Sequence, residues 1–215
     1  MSCAIAGNEL EVLERFALAR VVPVATIEDS MKAERLARAL LAGGISCIEV
    51  TLRTDEALDA LQRCRRVDGL LAGAGTVLSV EQARSVAAAG AAFAVAPGTN
   101  DEVVAECRQL KLPIFPGVAT PTEIEHARSL GLRVMKVFPA ELVGGVRFLR
   151  AVSAVYRDVG FVPTGGITTA NMHEYLSISS VVAVGGSWLT PPELLETGQF
   201  DEITRLVREA VELAG

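Results

Sequence analysis

Histidine is nearly absent from the 215 residues: only His126 and His173 occur. They lie far apart, with no HxH or HxxxH spacing. A histidine-built zinc or di-metal centre is therefore excluded, and both are expected on helix surfaces. Lysine is scarce as well, with Lys32, Lys111 and Lys136 standing against seventeen arginines. The four cysteines, Cys3, Cys47, Cys64 and Cys107, form no CxxC pair. That removes a disulfide framework and leaves them as small, buried apolar residues of a reducing compartment. Charged residues make up 21% and the net charge is −6. No basic stripe offsets that acidity, so nucleic acid is not an expected partner. A mean hydropathy of +0.37 invites a membrane reading. The longest uncharged runs, Ser85–Asn100 and Tyr175–Pro192, are interrupted by glycine and proline. Neither supplies the roughly 20 unbroken apolar residues a span requires. Met1–Asn8 has no basic stretch of the kind that opens a secretory leader, so a cytoplasmic, soluble protein is expected.

What the chain has in quantity is apolar residues, 50% of the total, which rules out a disordered polymer. Short runs of Val, Ile, Leu and Ala begin near Val21, Cys47, Leu70, Phe93, Pro113, Val134, Phe161 and Val181. They lack strict alternation, as strands do when both faces are buried in a parallel sheet. Each interval is long enough for one helix and two loops, and helix signals fall inside it. Thr120-Pro121-Thr122-Glu123 reads as a capping box with proline in the first turn. Thr190-Pro191-Pro192-Glu193, Ser79-Val80-Glu81-Gln82 and Thr99-Asn100-Asp101-Glu102 repeat the device, with Thr99 as a helix cap. Stops fall at Gly43-Gly44, Gly69, Gly90 and Gly131. Met31, Leu36, Leu40 and Leu41 make one apolar helix face. A further amphipathic helix, Asn8–Arg20, precedes the first strand. Eight β-then-α units predict a (β/α)8 TIM barrel with an extra N-terminal helix, in one domain spanning 1–215. The rival, an open doubly wound sheet, lacks its GxGxxG after the first strand.

In such a barrel the residues that matter stand where the apolar runs end. Lys136 lies inside Val134-Met135-Lys136-Val137-Phe138, in a chain that elsewhere almost always uses arginine for positive charge. Desolvation there favours the uncharged amine, the form that attacks a ketone. The competing reading is a lysine whose head reaches water or a structural carboxylate. Glu49 is likewise set in an apolar run, and Glu49, Thr51 and Arg53 share strand parity. Either they project together into the barrel, or Glu49 and Arg53 form an internal ion pair. Thr164-Gly165-Gly166 and Gly185-Gly186-Ser187 end the seventh and eighth runs, where barrels often seat phosphate on backbone N–H groups. The loops Gly73-Ala74-Gly75-Thr76 and Ala96-Pro97-Gly98-Thr99 add Thr76, a donor to substrate or a plain loop residue, and Pro97, a candidate substrate contact. A nucleophilic amine, a proton carrier, a cation for a carboxylate and a phosphate seat suit aldol chemistry on a phosphorylated keto acid, with no metal ligands.

These segments resemble the 2-keto-3-deoxy-6-phosphogluconate / 4-hydroxy-2-oxoglutarate aldolases. The likeness runs from about Val21 to Arg208 through Glu49-Val50-Thr51-Leu52-Arg53-Thr54, Gly73-Ala74-Gly75-Thr76, Pro116-Gly117, Lys136-Val137-Phe138-Pro139-Ala140-Glu141, Pro163-Thr164-Gly165-Gly166 and Gly185-Gly186-Ser187-Trp188. The resemblance implies Lys136 as Schiff-base lysine and Glu49 as general acid/base. It implies Arg53 and Thr76 on the pyruvyl carboxylate, Phe138 against the imine, and Thr164 in stereochemical control. Gly165, Gly166, Gly185, Gly186 and Ser187 would seat the phosphate. Val137 stands where relatives often carry an aromatic, but strand parity turns it away from Lys136. The resemblance further implies a cofactor-free homotrimer that releases pyruvate and glyceraldehyde 3-phosphate. Alternatives are an aldolase for the galactonate-derived epimer, a non-catalytic barrel that binds a phosphorylated metabolite, and a phosphosugar isomerase or synthase.

Overall fold

Strand follows helix along the whole of the computed structural model, which describes residues 7–215. Helix α1 (Gly7–Ala19) leads into β1 (Val21–Ala25), a short 3-10 turn (Ser30–Lys32) and α2 (Ala33–Gly43). Then come β2 (Cys47–Thr51), α3 (Ala57–Arg65), β3 (Leu71–Gly75), α4 (Val80–Ala88), β4 (Ala94–Val95) and α5 (Asp101–Gln109). The second half holds β5 (Ile114–Phe115), β6 (Gly117–Val118), α6 (Pro121–Ser129), β7 (Val134–Val137) and α7 (Gly145–Val155). It ends with β8 (Gly160–Pro163), α8 (Met172–Leu176), β9 (Val184–Gly186), α9 (Pro192–Thr197) and α10 (Phe200–Ala214).

All strand pairs are parallel, in the orders β5-β4-β3-β2-β1-β9 and β6-β7-β8. The two sheets join into one curled wall. β5 and β6 are halves of a single strand broken at Pro116, which has no N–H to donate. One half bonds β4 and the other β7, while the Pro116 carbonyl still accepts from the Lys136 N–H at 2.9 Å. On the other side, bridges Phe161↔Val181 and Thr164↔Gly185 connect β8 to the β9 segment. The expected (β/α)8 barrel is therefore present. Its fifth strand is split, and its eighth begins three residues late, with Val181 in an isolated bridge.

Sequence signals explain several helix ends. Thr120 makes the full capping box with Glu123, Ser79 accepts from the Gln82 N–H, and Gly44 ends α2 in the left-handed region at φ 104°. Two expected caps fail because a nearer acceptor competes. Thr190 is buried and donates to the Val24 carbonyl at 3.0 Å, leaving α9 without a side-chain cap. Thr99 donates to the Gly117 carbonyl at 3.1 Å, and Asn100 caps α5 instead. Met31 is 66% exposed on the 3-10 turn rather than on the apolar face of α2, whose Leu36 and Leu40 are buried. His126 and His173 are exposed on α6 and α8 as expected. Among the described residues, no helix is long and apolar enough to cross a membrane.

Helix α1 lies within a residue of its expected bounds and has a clear task. Its Phe16 is buried and meets the rings of Phe93 and Phe115, with centroids at 5.0 and 5.4 Å. Phe93 precedes β4 and Phe115 ends β5, so three rings from distant segments close one end of the barrel. Truncation would open a cavity that the rigid strand wall cannot collapse into. Phe16→Ala is expected to cost about 3–5 kcal/mol of stability, read by urea unfolding. A loss under about 1 kcal/mol, the span of ordinary surface changes, would show that α1 is not a plug.

Candidate active site

The barrel interior brings together two polar side chains that lie 87 residues apart. Lys136 on β7 and Glu49 on β2 point inward, and Nζ donates to Oε1 at 3.1 Å and Oε2 at 3.3 Å. Both are buried, at 7% and 4% exposure. Neighbouring outward residues Met135 and Val137 are wholly buried against the helical layer, as period-two alternation requires. The partner of Glu49 is thus Lys136 and not Arg53. The reason is local: the Arg53 N–H folds back onto the Thr51 carbonyl at 2.9 Å, so strand parity ends at Thr51. Arg53 is exposed at the rim, and no carboxylate among the described residues pairs with it. The Thr51 hydroxyl is taken by the Ala25 carbonyl at 3.2 Å and shares a hydrogen bond with Thr26.

Room for the pair comes from glycine. A Cβ on Gly75 would collide with the Glu49 side chain, at 2.7 Å from Cγ and 2.8 Å from Cδ, and one on Gly73 would enter the Phe93 ring. Gly117 stands in register with Lys136, and a Cβ there would run into the carbonyl of Pro97. None of these glycines was singled out for this role from sequence; the available signal was a small residue at inward parity beside a charged one. Phe16, Phe115 and Val162 line a small cavity together with Glu49 and Lys136.

The remaining candidates are arranged around the mouth. Phe138 is half-buried, with its ring centroid 5.5 Å from the Lys136 Nζ. Thr76 is half-buried at the end of β3, with φ 63°, a left-handed conformation that is strained for a β-branched residue. Pro97 is half-buried against Gly117. Thr164 is buried, and its bridge to Gly185 sets the two glycine loops side by side. Gly165 and Gly166 take φ 100° and 80°, which only glycine adopts without strain. Among the described residues, the N–H groups of Gly165, Gly166 and Ser187 donate to no backbone carbonyl. Gly186 is buried beneath the Trp188 ring, and Ser187 is exposed.

The cysteines take no part. Cys47, Cys64 and Cys107 are buried and unpaired, and burial pushes their thiols up to about 12, 12 and 11. They stay protonated and unreactive at neutral pH. Cys3 lies outside the described residues. Among the described residues, no group of three or more His, Cys, Asp or Glu is placed to hold a metal ion.

A primary amine kept dry beside a proton acceptor is an arrangement from which imine chemistry can start in a barrel enzyme. The model of the KDPG and KHG aldolase family matches residues 12–206. A 2-dehydro-3-deoxy-phosphogluconate aldolase of Treponema pallidum is 47% identical over 206 residues, covering 95% of this chain and 97% of its own. A KDPG aldolase from Legionella pneumophila, solved with pyruvate captured as a covalent carbinolamine, superposes with TM-score 0.88 at 41% identity, over 91% of this chain and 96% of its own. The 2-keto-3-deoxy-6-phosphogluconate aldolase of Zymomonas mobilis, solved with 3-phosphoglycerate, gives TM-score 0.88 at 39% identity, over 95% and 96%. The chain belongs to the KDPG and KHG aldolase family, and it is an aldolase, a carbon–carbon lyase.

Gly75→Ala tests the packing of the pair. The added methyl must drive the Glu49 carboxylate away from Lys136. Aldol cleavage is expected to fall about 10²-fold, the order of one lost acid/base group, while the circular dichroism spectrum keeps its native shape. Unchanged kcat would show that the 3.1 Å contact is not required.

Proposed function

We propose that the chain is a class I aldolase of 2-keto-3-deoxy-6-phosphogluconate that also accepts 4-hydroxy-2-oxoglutarate. The observation that carries this reading is the Lys136 amine, buried in the barrel and 3.1 Å from the Glu49 carboxylate. A lysine exchanging its proton with that carboxylate becomes a nucleophile, whereas an arginine there could not lose its proton.

Lys136 Nζ adds to the C2 carbonyl carbon, and Glu49 moves the protons that turn the carbinolamine into an iminium ion with loss of water. The iminium nitrogen then draws electrons from the C3–C4 bond as Glu49 takes the proton of the C4 hydroxyl. That bond breaks, glyceraldehyde 3-phosphate leaves, and an enamine remains on Lys136. Protonation at C3 and addition of water release pyruvate and restore the amine. Arg53, unpaired at the rim, and Thr76 would hold the C1 carboxylate, with Phe138 and Pro97 packing along the pyruvyl unit. Thr164 would meet the C4 hydroxyl. Gly165, Gly166, Gly185, Gly186 and Ser187 would seat the phosphate, a role supported by the unbonded N–H groups of their two adjoining loops.

The chain would act as one aldolase domain in the cytoplasm, a setting the unpaired cysteines suit. It would assemble as a homotrimer, and Leu142, 86% exposed beside the active-site mouth, is the kind of residue a subunit contact covers. Sedimentation equilibrium is expected to give three times the 22.7 kDa chain mass.

Borohydride reduction with pyruvate, followed by peptide mapping, is expected to place a single adduct on Lys136. Lys136→Ala should abolish cleavage, and Glu49→Gln should slow it about 10²–10⁴-fold with substrate still bound. An unmodified Lys136 after reduction, or near-normal turnover in both variants, would overturn the assignment.

A further inference from the structure

One buried hydroxyl near the site has no part in the chemistry above. Tyr175 on α8 is fully buried, and its phenol donates to Oε1 of Glu141, in the turn after β7. Burial first, and the facing carboxylate second, push that phenol well above its ordinary range. It therefore remains a donor at any working pH. Glu141 itself is otherwise exposed. A phenol with no access to water has been aimed at the one oxygen it can reach.

Two contacts tie this pair to the Gly165–Gly166 turn, and a third fixes the turn from its other side. The Glu141 N–H donates to the Gly165 carbonyl at 3.1 Å. The Glu141 side chain backs onto Gly166, where a Cβ would lie 2.5 Å from its Cγ. From the other side, Asn171 donates its amide to the Gly166 carbonyl at 3.1 Å, and its own carbonyl oxygen accepts from the Thr168 N–H at 2.8 Å. Both carbonyls of the turn are thereby engaged, which leaves its N–H groups as the free ends. Gly145 closes the back of the arrangement, since a Cβ there would stand 3.0 Å from the Tyr175 oxygen and 3.2 Å from Oε1.

A carboxylate packed on this turn carries an electrostatic hazard. Like charges within about 4–6 Å disfavour one another, and a phosphate on Gly166 brings up to two negative charges. The Tyr175 hydroxyl supplies the restraint, because it holds Oε1 on the α8 side of the turn. We propose that Tyr175 and Glu141 are a positioning pair that sets selectivity for the phosphorylated substrate: Glu141 braces Gly166, and Tyr175 keeps its charge off the anion. This rests on the phosphate seat proposed above.

The test compares 2-keto-3-deoxy-6-phosphogluconate with 4-hydroxy-2-oxoglutarate in wild type, Tyr175→Phe and Tyr175→Phe/Glu141→Gln. In Tyr175→Phe the carboxylate is untethered. KM for the phosphorylated substrate is expected to rise about tenfold, the order of one charge-assisted hydrogen bond. Its kcat, and both constants for the unphosphorylated substrate, should stay within about twofold, inside the usual scatter of a neutral change. Removing the charge with Glu141→Gln in the same chain should bring KM back towards wild type. Equal losses on both substrates, or no recovery in the double variant, would mean a merely structural hydrogen bond and would overturn the pairing. Failure of the seat itself reads differently: wild type would then show no preference for the phosphorylated substrate and no competition from inorganic phosphate.

Discussion

Two ionisable side chains taken out of water must compensate each other, because each alone would carry a desolvation cost that no surface contact repays. In this barrel the compensation is the contact between Lys136 and Glu49 at 3.1 Å, and much of the interior is arranged around it. Glu49 needs Gly75 beside it, since any side chain there would occupy the carboxylate's own space. Lys136 has Gly117 as its register partner, so β6 can lie close against the Pro97 carbonyl without a Cβ between them. The floor of Phe16, Phe93 and Phe115 keeps that end of the barrel apolar. In the proposed mechanism, proton exchange between amine and carboxylate would be confined to the pair and whatever enters from the mouth.

Strands and loops divide the work. The proposed chemistry would stand on β2 and β7, rigid elements bonded on both edges, which suits groups that must stay within hydrogen-bond reach through several proton transfers. The proposed recognition would stand on the loops after β8 and β9, where the N–H groups of Gly165, Gly166 and Ser187 donate to no backbone carbonyl. The segment Lys136–Glu141 joins the two. It begins with the reacting amine, passes Phe138 against that amine, and ends with the N–H that fixes Gly165. A shift of this segment would move the Lys136 amine and the Gly165 turn together, so in the proposed mechanism one short stretch of chain would hold the spacing between the two ends of a substrate.

Where strands were unbroken, period-two reasoning carried well. Glu49 and Lys136 each sat in an apolar run, and both point inward. It stopped at the first turn: Arg53 shares the parity of Glu49, but its N–H folds onto Thr51, so the predicted projection into the interior and the alternative ion pair were both lost. Caps failed in a related way. Thr190 and Thr99 have the right spacing, yet each finds a carbonyl on a neighbouring strand, and such acceptors exist only after the barrel closes. Pro116 was visible as a residue that cannot donate, but its effect, turning one strand into β5 and β6, depends on which neighbours it lies between. The meeting of β2 with β7 across the barrel follows from closure and not from any spacing along the chain. For that reason no spacing assigned a partner to Lys136.

The scarcity of lysine now has a physical reading. Lys32 lies on the outside, bonded to the Glu196 carbonyl at 3.0 Å and facing Asp29, and Lys111 is exposed. Either position would accept an arginine, since each asks only for positive charge or a donor. The interior position would not. A guanidinium keeps its proton under all ordinary conditions, and its planar fork would need more donors satisfied than one carboxylate provides. An ammonium has three rotatable donors to place, fewer than the five fixed ones of a guanidinium, and its amine form carries the lone pair a nucleophile needs. A chain that uses arginine almost everywhere else has a lysine at this inward strand position, where the proposed mechanism requires a nucleophilic amine.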